Sequence, residues 1–295
     1  MIKKYNFFQL RIFFLIIIPF IFGIISKTYI KKTYLITKTN LNKFLISRKS
    51  PNCLPEIINE IPKNSSIIVG HAYGSPTSKD LGISKRIRDL YKENKKNINM
   101  IIFSGDLFQV PSIERWKKFY SEFDNDLDIY IAPGNHDIGL EDSVHRDIFK
   151  LIKHRNQANY EFPFSFQWSN NTFIIDDSNT NKNSINKIFK IIEEDKNKNI
   201  YIIRHHILPK SLSFASNAKG PQPYINDWEL NKEFIYEKNK NITFIYGDSG
   251  AKKYLPRISC IKVNNINHIA NGIGGFKDDI VLVLSKNKIF IKKLN

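Results

Sequence analysis

Hydrophobic residues fall in short continuous runs along most of this chain, and five of the runs end alike. Ile67-Ile68-Val69 leads into Gly70-His71, Ile101-Ile102-Phe103 into Ser104-Gly105-Asp106, and Ile129-Tyr130-Ile131-Ala132 into Pro133-Gly134-Asn135-His136-Asp137. Ile202-Ile203 leads into Arg204-His205-His206, and Thr243-Phe244-Ile245-Tyr246 into Gly247-Asp248-Ser249-Gly250. A short apolar run bounded by turn residues predicts a strand buried on both faces. Polar side chains delivered just after such a strand lie at the rim of the sheet, where open α/β folds place their sites. Repeated delivery of His, Asp and Asn makes a metal site the leading expectation.

Between these runs the period changes. Leu81, Ile83, Ile87 and Leu90 mark a helical face within Ser78–Asn94, and Ile113–Phe123 and Ser184–Glu194 show the same spacing. Tyr160–Trp168 alternates aromatic and polar residues before Phe173-Ile174-Ile175, as antiparallel strands do. Ile280–Leu284 and Ile289–Ile291, joined by Ser285-Lys286-Asn287-Lys288, predict a closing hairpin. The predicted architecture is an α/β sandwich, two sheets flanked by helices.

The N-terminus follows a different pattern. Lys3 and Lys4 precede an apolar stretch from Phe7 to Ile25, interrupted by Gln9 and Arg11. As a helix it spans about 28 Å, close to the hydrocarbon thickness of a bilayer. No small-residue cleavage site follows, so the stretch predicts an uncleaved single-pass membrane anchor rather than a removed signal peptide. Lysines flank both sides, so the charge balance assigns no orientation. The expected division is an anchor over residues 1–26, a basic juxtamembrane linker with one short helix over 27–62, and one globular domain over 63–295.

Composition sharpens this only in part. With 42% hydrophobic residues and 22 Phe among 295, the chain has ample material for a core. The formal charge of +17 points to an anionic partner such as phosphate groups or acidic lipid. The lysines are scattered, with no basic stripe interleaved with aromatics, so a nucleic-acid partner is not expected. Cys53 and Cys260 build neither a disulfide framework nor a zinc motif. A single disulfide between them stays open, and with it the compartment.

Taken in order, the strand ends resemble the calcineurin-like metallophosphoesterase superfamily. Its pattern is Asp-x-His, Gly-Asp-x-x-Asp, Gly-Asn-His-Asp or -Glu, a further His, and Gly-His-x-His, each at a strand end. Gly134-Asn135-His136-Asp137 matches the third block in full, Gly105-Asp106 the first half of the second, and His205-His206-Ile207-Leu208-Pro209 a His-His-x-Pro block. The first and last blocks depart from the pattern. His71 and Tyr73 stand where the family has Asp and His, and Asp248 and Gly250 where it has two His. The Asp-to-His exchange at one end and His-to-Asp at the other preserve ligand charge if both side chains reach one cavity.

The resemblance implies a phosphate mono- or diester hydrolase of the metallophosphoesterase sandwich type, acting on a phosphorylated small molecule or lipid. It assigns Asp106, Asn135, His205 and Asp248 to one divalent metal, manganese, zinc or iron. A second metal would keep only bridging Asp106, His71 and Tyr73, so one tight site is expected rather than two. His136 is the expected general acid for the leaving oxygen, and the Asn135 amide can also face the phosphate. Gln109 replaces the Asp that orients the His in relatives, and Asp137 is expected to brace its own loop. The rival reading is a non-catalytic descendant of the fold that binds a phosphorylated ligand or partner. Gly247-Asp248-Ser249-Gly250 also mimics the nucleophile turn of trypsin-like proteases, but the helical stretches contradict that fold.

Overall fold

The structure is a computed structural model describing residues 26–44, 53–75, 82–139, 143–156, 161–179, 184–216, 220, 224–225, 239–263 and 266–294. The expected anchor over Phe7–Ile25 lies outside the described residues. Among the described residues no helix is long and apolar enough to cross a membrane.

Among the described residues, two six-stranded sheets make the body. The first has strands β1 (Glu56–Ile58), β2 (Ser65–Val69), β3 (Ile98–Phe103), β4 (Asp128–Ile131), β11 (Ile280–Ser285) and β12 (Lys288–Lys293), in the order β1-β12-β11-β2-β3-β4. The second has β5 (Phe164–Trp168), β6 (Asn171–Ile175), β7 (Asn199–Arg204), β8 (Asn241–Tyr246), β9 (Ile258–Val263) and β10 (Ile266–Asn271), ordered β5-β6-β7-β8-β10-β9. Helices α2 (Lys85–Asn94), α3 (Ile113–Ser121) and α5 (Val144–Leu151) pack with the first sheet, and α6 (Ser184–Glu194) with the second; the one-turn α4 (Asn135–Ile138) follows β4.

Strand pleating explains the apolar runs. Ile67, Val69, Ile101 and Phe103 face the helices of the first sheet, while Ile68, Met100 and Ile102 face the second sheet across the central layer. Ile200 and Ile202 point outward under α6, and Tyr201 and Ile203 point inward. Both faces are covered, so every position wants an apolar residue and alternation disappears. Within each sheet the three strands β2, β3, β4 and β6, β7, β8 run parallel, so their carboxyl ends share one edge.

The sequence expectations need adjusting at several places. The helix within Ser78–Asn94 begins only after Ser84; Gly82 and Ile83 precede it, and residues 76–81 lie outside the described set. Strands β9 and β10 were not expected. Their polar interruptions, Ser259, Lys262, Asn267 and His268, dilute the apolar run. Glu56–Ile58, read within the linker 27–62, pairs in parallel with β12 as an edge strand. Cys53 and Cys260 form a disulfide across 207 residues, tying the start of this segment to β9 of the second sheet. Residues 26–44 form helix α1.

Candidate metal centre

Parallel pairing brings the polar strand ends together. Gly105 follows β3 at φ +98°, and a Cβ there would overlap the His205 ring. Glycine is therefore what allows the loop after β3 to lie against a side chain delivered by β7 of the other sheet. Gly134, after β4, likewise leaves no room for a Cβ beside Asp106.

Asp106 sits at the centre of the cluster, 2% exposed. Its Oδ1 lies 3.5 Å from His205 Nε2 and its Oδ2 3.6 Å from His71 Nε2, so the carboxylate stands between two imidazoles. Burial alone would push the Asp106 carboxyl up, but His205, His71 and His136 outweigh it and hold it below the usual carboxylate range. His71 adopts the left-handed backbone at φ 48°, and its buried Nδ1 has no hydrogen-bond partner. Burial lowers its pKa against the pull of Asp106 and Asp248.

His205 Nδ1–H donates to the Ser104 carbonyl at 3.1 Å, which points Nε2 and its lone pair into the cluster. There Nε2 meets Asn135 Oδ1 at 3.1 Å as well as Asp106 Oδ1. Three acceptors facing one another repel unless a proton or a cation sits among them. Burial would lower the His205 pKa, yet Asp106 and Asp248 raise it above the ordinary value, which expresses the same demand for positive charge. Donor atoms bound at about 2.1 Å to one ion are separated by about 3.0–3.4 Å, which the 3.1 and 3.5 Å contacts approach. Among the described residues, His, Cys, Asp and Glu alone do not gather three-strong around a point where an ion could sit. The Asn135 amide oxygen supplies the additional donor, and the chemistry of this mixed set fits a divalent ion.

Asp248 is buried at the rim of the cluster, its amide donating to His205 O at 3.0 Å and its Oδ2 accepting the Ser216 hydroxyl. The Tyr73 ring lies tilted 4.4 Å from that of His71 and edge-on 5.3 Å from that of His136. Burial and then Asp106 raise its pKa, keeping the phenol protonated. His136 donates its amide to Asp106 Oδ1 at 3.1 Å, and its Nδ1 lies 3.0 Å from the main-chain oxygen of Gln109. A bond that orients this imidazole thus comes from the backbone at position 109.

Asp137 braces more than its own loop. Its Oδ2 accepts from Asp106 N and Gly134 N at 2.8 and 2.9 Å, and its Oδ1 from Leu107 N and Phe108 N at 2.8 and 3.3 Å. One carboxylate therefore fixes both loops that carry Asp106 and Asn135. Burial pushes it up to about 7, with Asp106 adding to the rise.

Several contributors escaped sequence reasoning. Ser178 Oγ accepts from His206 N at 3.0 Å and meets His206 Nδ1 at 3.0 Å, holding that ring beside the centre. Ser216 caps the end of a 3₁₀ turn (Lys210–Ala215) and carries no motif. Ser249 is settled as structural, its buried hydroxyl donating to Pro256 O at 2.8 Å.

The chain belongs to the calcineurin-like phosphoesterase family, whose family model matches residues 71–249. Members of this family are, in general, metal-dependent phosphoester hydrolases. Among solved structures, the fold is similar to a purple acid phosphatase from yellow lupin (Lupinus luteus) seeds, with TM-score 0.52 and 12% identity. The match covers 78% of this chain and 53% of the lupin chain, so this chain spans about half the length of that relative. A predicted phosphoesterase from Streptococcus pneumoniae matches at TM-score 0.31 and 11% identity, covering 76% and 83% of the two chains, too distant to bear on the fold. No curated protein sequence matches the chain.

Proposed function

We propose that this protein is a membrane-anchored phosphoesterase that cleaves a phosphate mono- or diester of a small molecule or lipid at the cluster around Asp106. The observation that carries the reading is the convergence of His205 Nε2, Asn135 Oδ1 and Asp106 Oδ1, with His136 held beside them. Asp106, Asn135, His205 and Asp248 would hold one divalent ion, manganese, zinc or iron, with His71 on the far oxygen of Asp106. When bound, such an ion supplies positive charge that offsets charge on phosphoryl oxygens and acidifies water.

The chain's own residues do the rest. His136, its Nδ1–H directed at the Gln109 carbonyl, would use Nε2 in its protonated form to deliver a proton to the leaving oxygen. Asp137 keeps Asp106 and Asn135 in register. Burial of His71, Asp106 and His205 strengthens each charge interaction by excluding water.

The proposed division keeps an anchor over 1–26, shortens the juxtamembrane segment to 27–52, and begins the catalytic domain at Cys53, because the disulfide and the pairing of Glu56–Ile58 with β12 place 53–62 in the body. The Cys53–Cys260 disulfide supports a domain facing an oxidising compartment. The test is elemental analysis of the purified chain together with turnover of a phosphoester panel. Bound metal with turnover supports the reading. Metal without turnover of any phosphoester transfers the protein to the binding-only class, and absence of metal refutes the centre.

His136→Ala separates the roles. It should leave metal bound and slow a poor leaving group by about 10²- to 10⁴-fold, with a smaller loss for an activated aryl phosphate. Asn135→Ala should weaken the metal itself. Equal slowing of both substrates by His136→Ala would remove the general-acid role.

A further inference from the structure

Among the described residues, exposed apolar surface is concentrated at one place. Of the eleven large hydrophobic residues standing exposed among the described residues, eight fall between Tyr29 and Ile57. Most belong to α1. Thr39 of this helix, 6% exposed, meets the body of the protein, and Leu35 and Asn42 on either side of it along the same face are half-buried. The other side carries Ile30, Tyr34 and Leu41, which are 65, 60 and 56% exposed. At 3.6 residues per turn these three share one stripe, and Lys27, Lys31 and Lys38 border it.

The charge on this helix is one-sided. Residues 26–44 contain five lysines and no acidic residue. Beside the helix, a cavity of about 700 Å³ between α1 and the body adds Lys253, Arg257 and Lys293 to its lining, against one acid, Asp278. An apolar stripe edged by lysines is the chemistry of a helix lying in the headgroup region of a bilayer. Its aromatic residues suit that depth, and long lysine stems keep their charge in water while their carbons lie against lipid.

We propose that α1 lies flat on an anionic membrane surface with Ile30, Tyr34 and Leu41 dipped into the headgroup region. Two features select this occupant. The apolar stretch Phe7–Ile25 ends immediately before α1, so the proposed anchor delivers the helix at the interface. The lysines complement acidic lipid and would repel a second copy of the same basic helix. Because the disulfide at Cys53 fixes the chain shortly after α1, the helix docks the catalytic body at a set orientation rather than leaving it on a free tether.

The inference rests on the anchored reading, and the experiment distinguishes the two. Full-length chains carrying one added cysteine, Leu41→Cys or Lys198→Cys, are labelled with an environment-sensitive fluorophore while Cys53 and Cys260 remain paired. They are reconstituted into vesicles of phosphatidylcholine with phosphatidylglycerol and floated. The expected result is that the Leu41 probe is quenched by lipid-borne quencher and protected from aqueous iodide, while the Lys198 probe behaves in the opposite way. Combined Lys27→Gln, Lys31→Gln and Lys38→Gln substitutions, or vesicles without phosphatidylglycerol, should return the Leu41 probe toward iodide access. If the chain floats but the Leu41 probe reads like the Lys198 probe, docking is wrong and anchoring stands. Protection without lipid-phase quenching, rising with protein density, would replace the bilayer by a second copy. Failure to float removes both readings.

Discussion

Gly105→Ala is the substitution in which one added methyl should damage both stability and the centre. Glycine at this position adopts φ +98°, where an L-residue costs about 1–2 kcal/mol. The new Cβ would overlap the His205 ring, so the ring must move. That movement breaks the Nδ1–Ser104 carbonyl bond of 3.1 Å, worth about 1 kcal/mol net. The expected loss of stability is about 2–3 kcal/mol. Displacing Nε2 from Asn135 and Asp106 should also weaken metal binding by about 10-fold or more, as loss of an orienting partner does. Urea unfolding of chelator-treated full-length protein, followed by tryptophan fluorescence, reads the first quantity; calorimetric titration with manganese or zinc reads the second. Gly82→Ala is the control, since nothing lies within 4 Å of its added Cβ, and it should leave metal affinity unchanged. If Gly105→Ala matches wild type in both measurements, the close approach of the β3 loop to His205 is not what shapes the centre.

Asp106→Ala and His205→Ala should each abolish stoichiometric metal in elemental analysis, and retention in both would sink the ligand assignment. Acid should destabilise the fold through histidines remote from the centre. Burial lowers His154 to about 4 and His268 to about 3, so below the ordinary 6.5 the unfolded chain takes up protons that the folded chain refuses. Stability present at neutral pH is then lost as pH falls from about 6.5 toward 4, by about 3 kcal/mol for His154 alone. His154→Phe should flatten that slope in melts across the range, and an unchanged slope would remove His154 as its source. Reducing the Cys53–Cys260 bond, or Cys53→Ser, should cost about 2–5 kcal/mol, since it closes a long loop; a melt insensitive to reductant would show that the pair contributes nothing.

Sequence by itself determined the local grammar. Runs such as Ile101-Ile102-Phe103 had to be buried strands because apolar residues at every position demand cover on both faces. The glycines after them had to be turns, and Asn135-His136-Asp137 had to stand at a strand end. Those are short-range consequences of hydrophobicity and backbone freedom. Strands β9 and β10 and the edge strand Glu56–Ile58 were not legible, because their pairing is long-range and polar residues break their pattern.

Only tertiary structure decided which strand ends meet. Sheet order places the loops after β2, β3 and β4 against those after β7 and β8, so His71 and His205 face the two oxygens of one Asp106. It also decided that the Gln109 backbone orients His136, that Asp137 ties two loops, and that Ser216 reaches Asp248. No spacing encodes such contacts, since each joins atoms whose separation along the chain is unrelated to their separation in space. Amphipathic α1 shows the same division. Its lysines and apolar stripe can be read from residues 26–44 alone. Which face the body covers, and which is left for another surface, was fixed by packing.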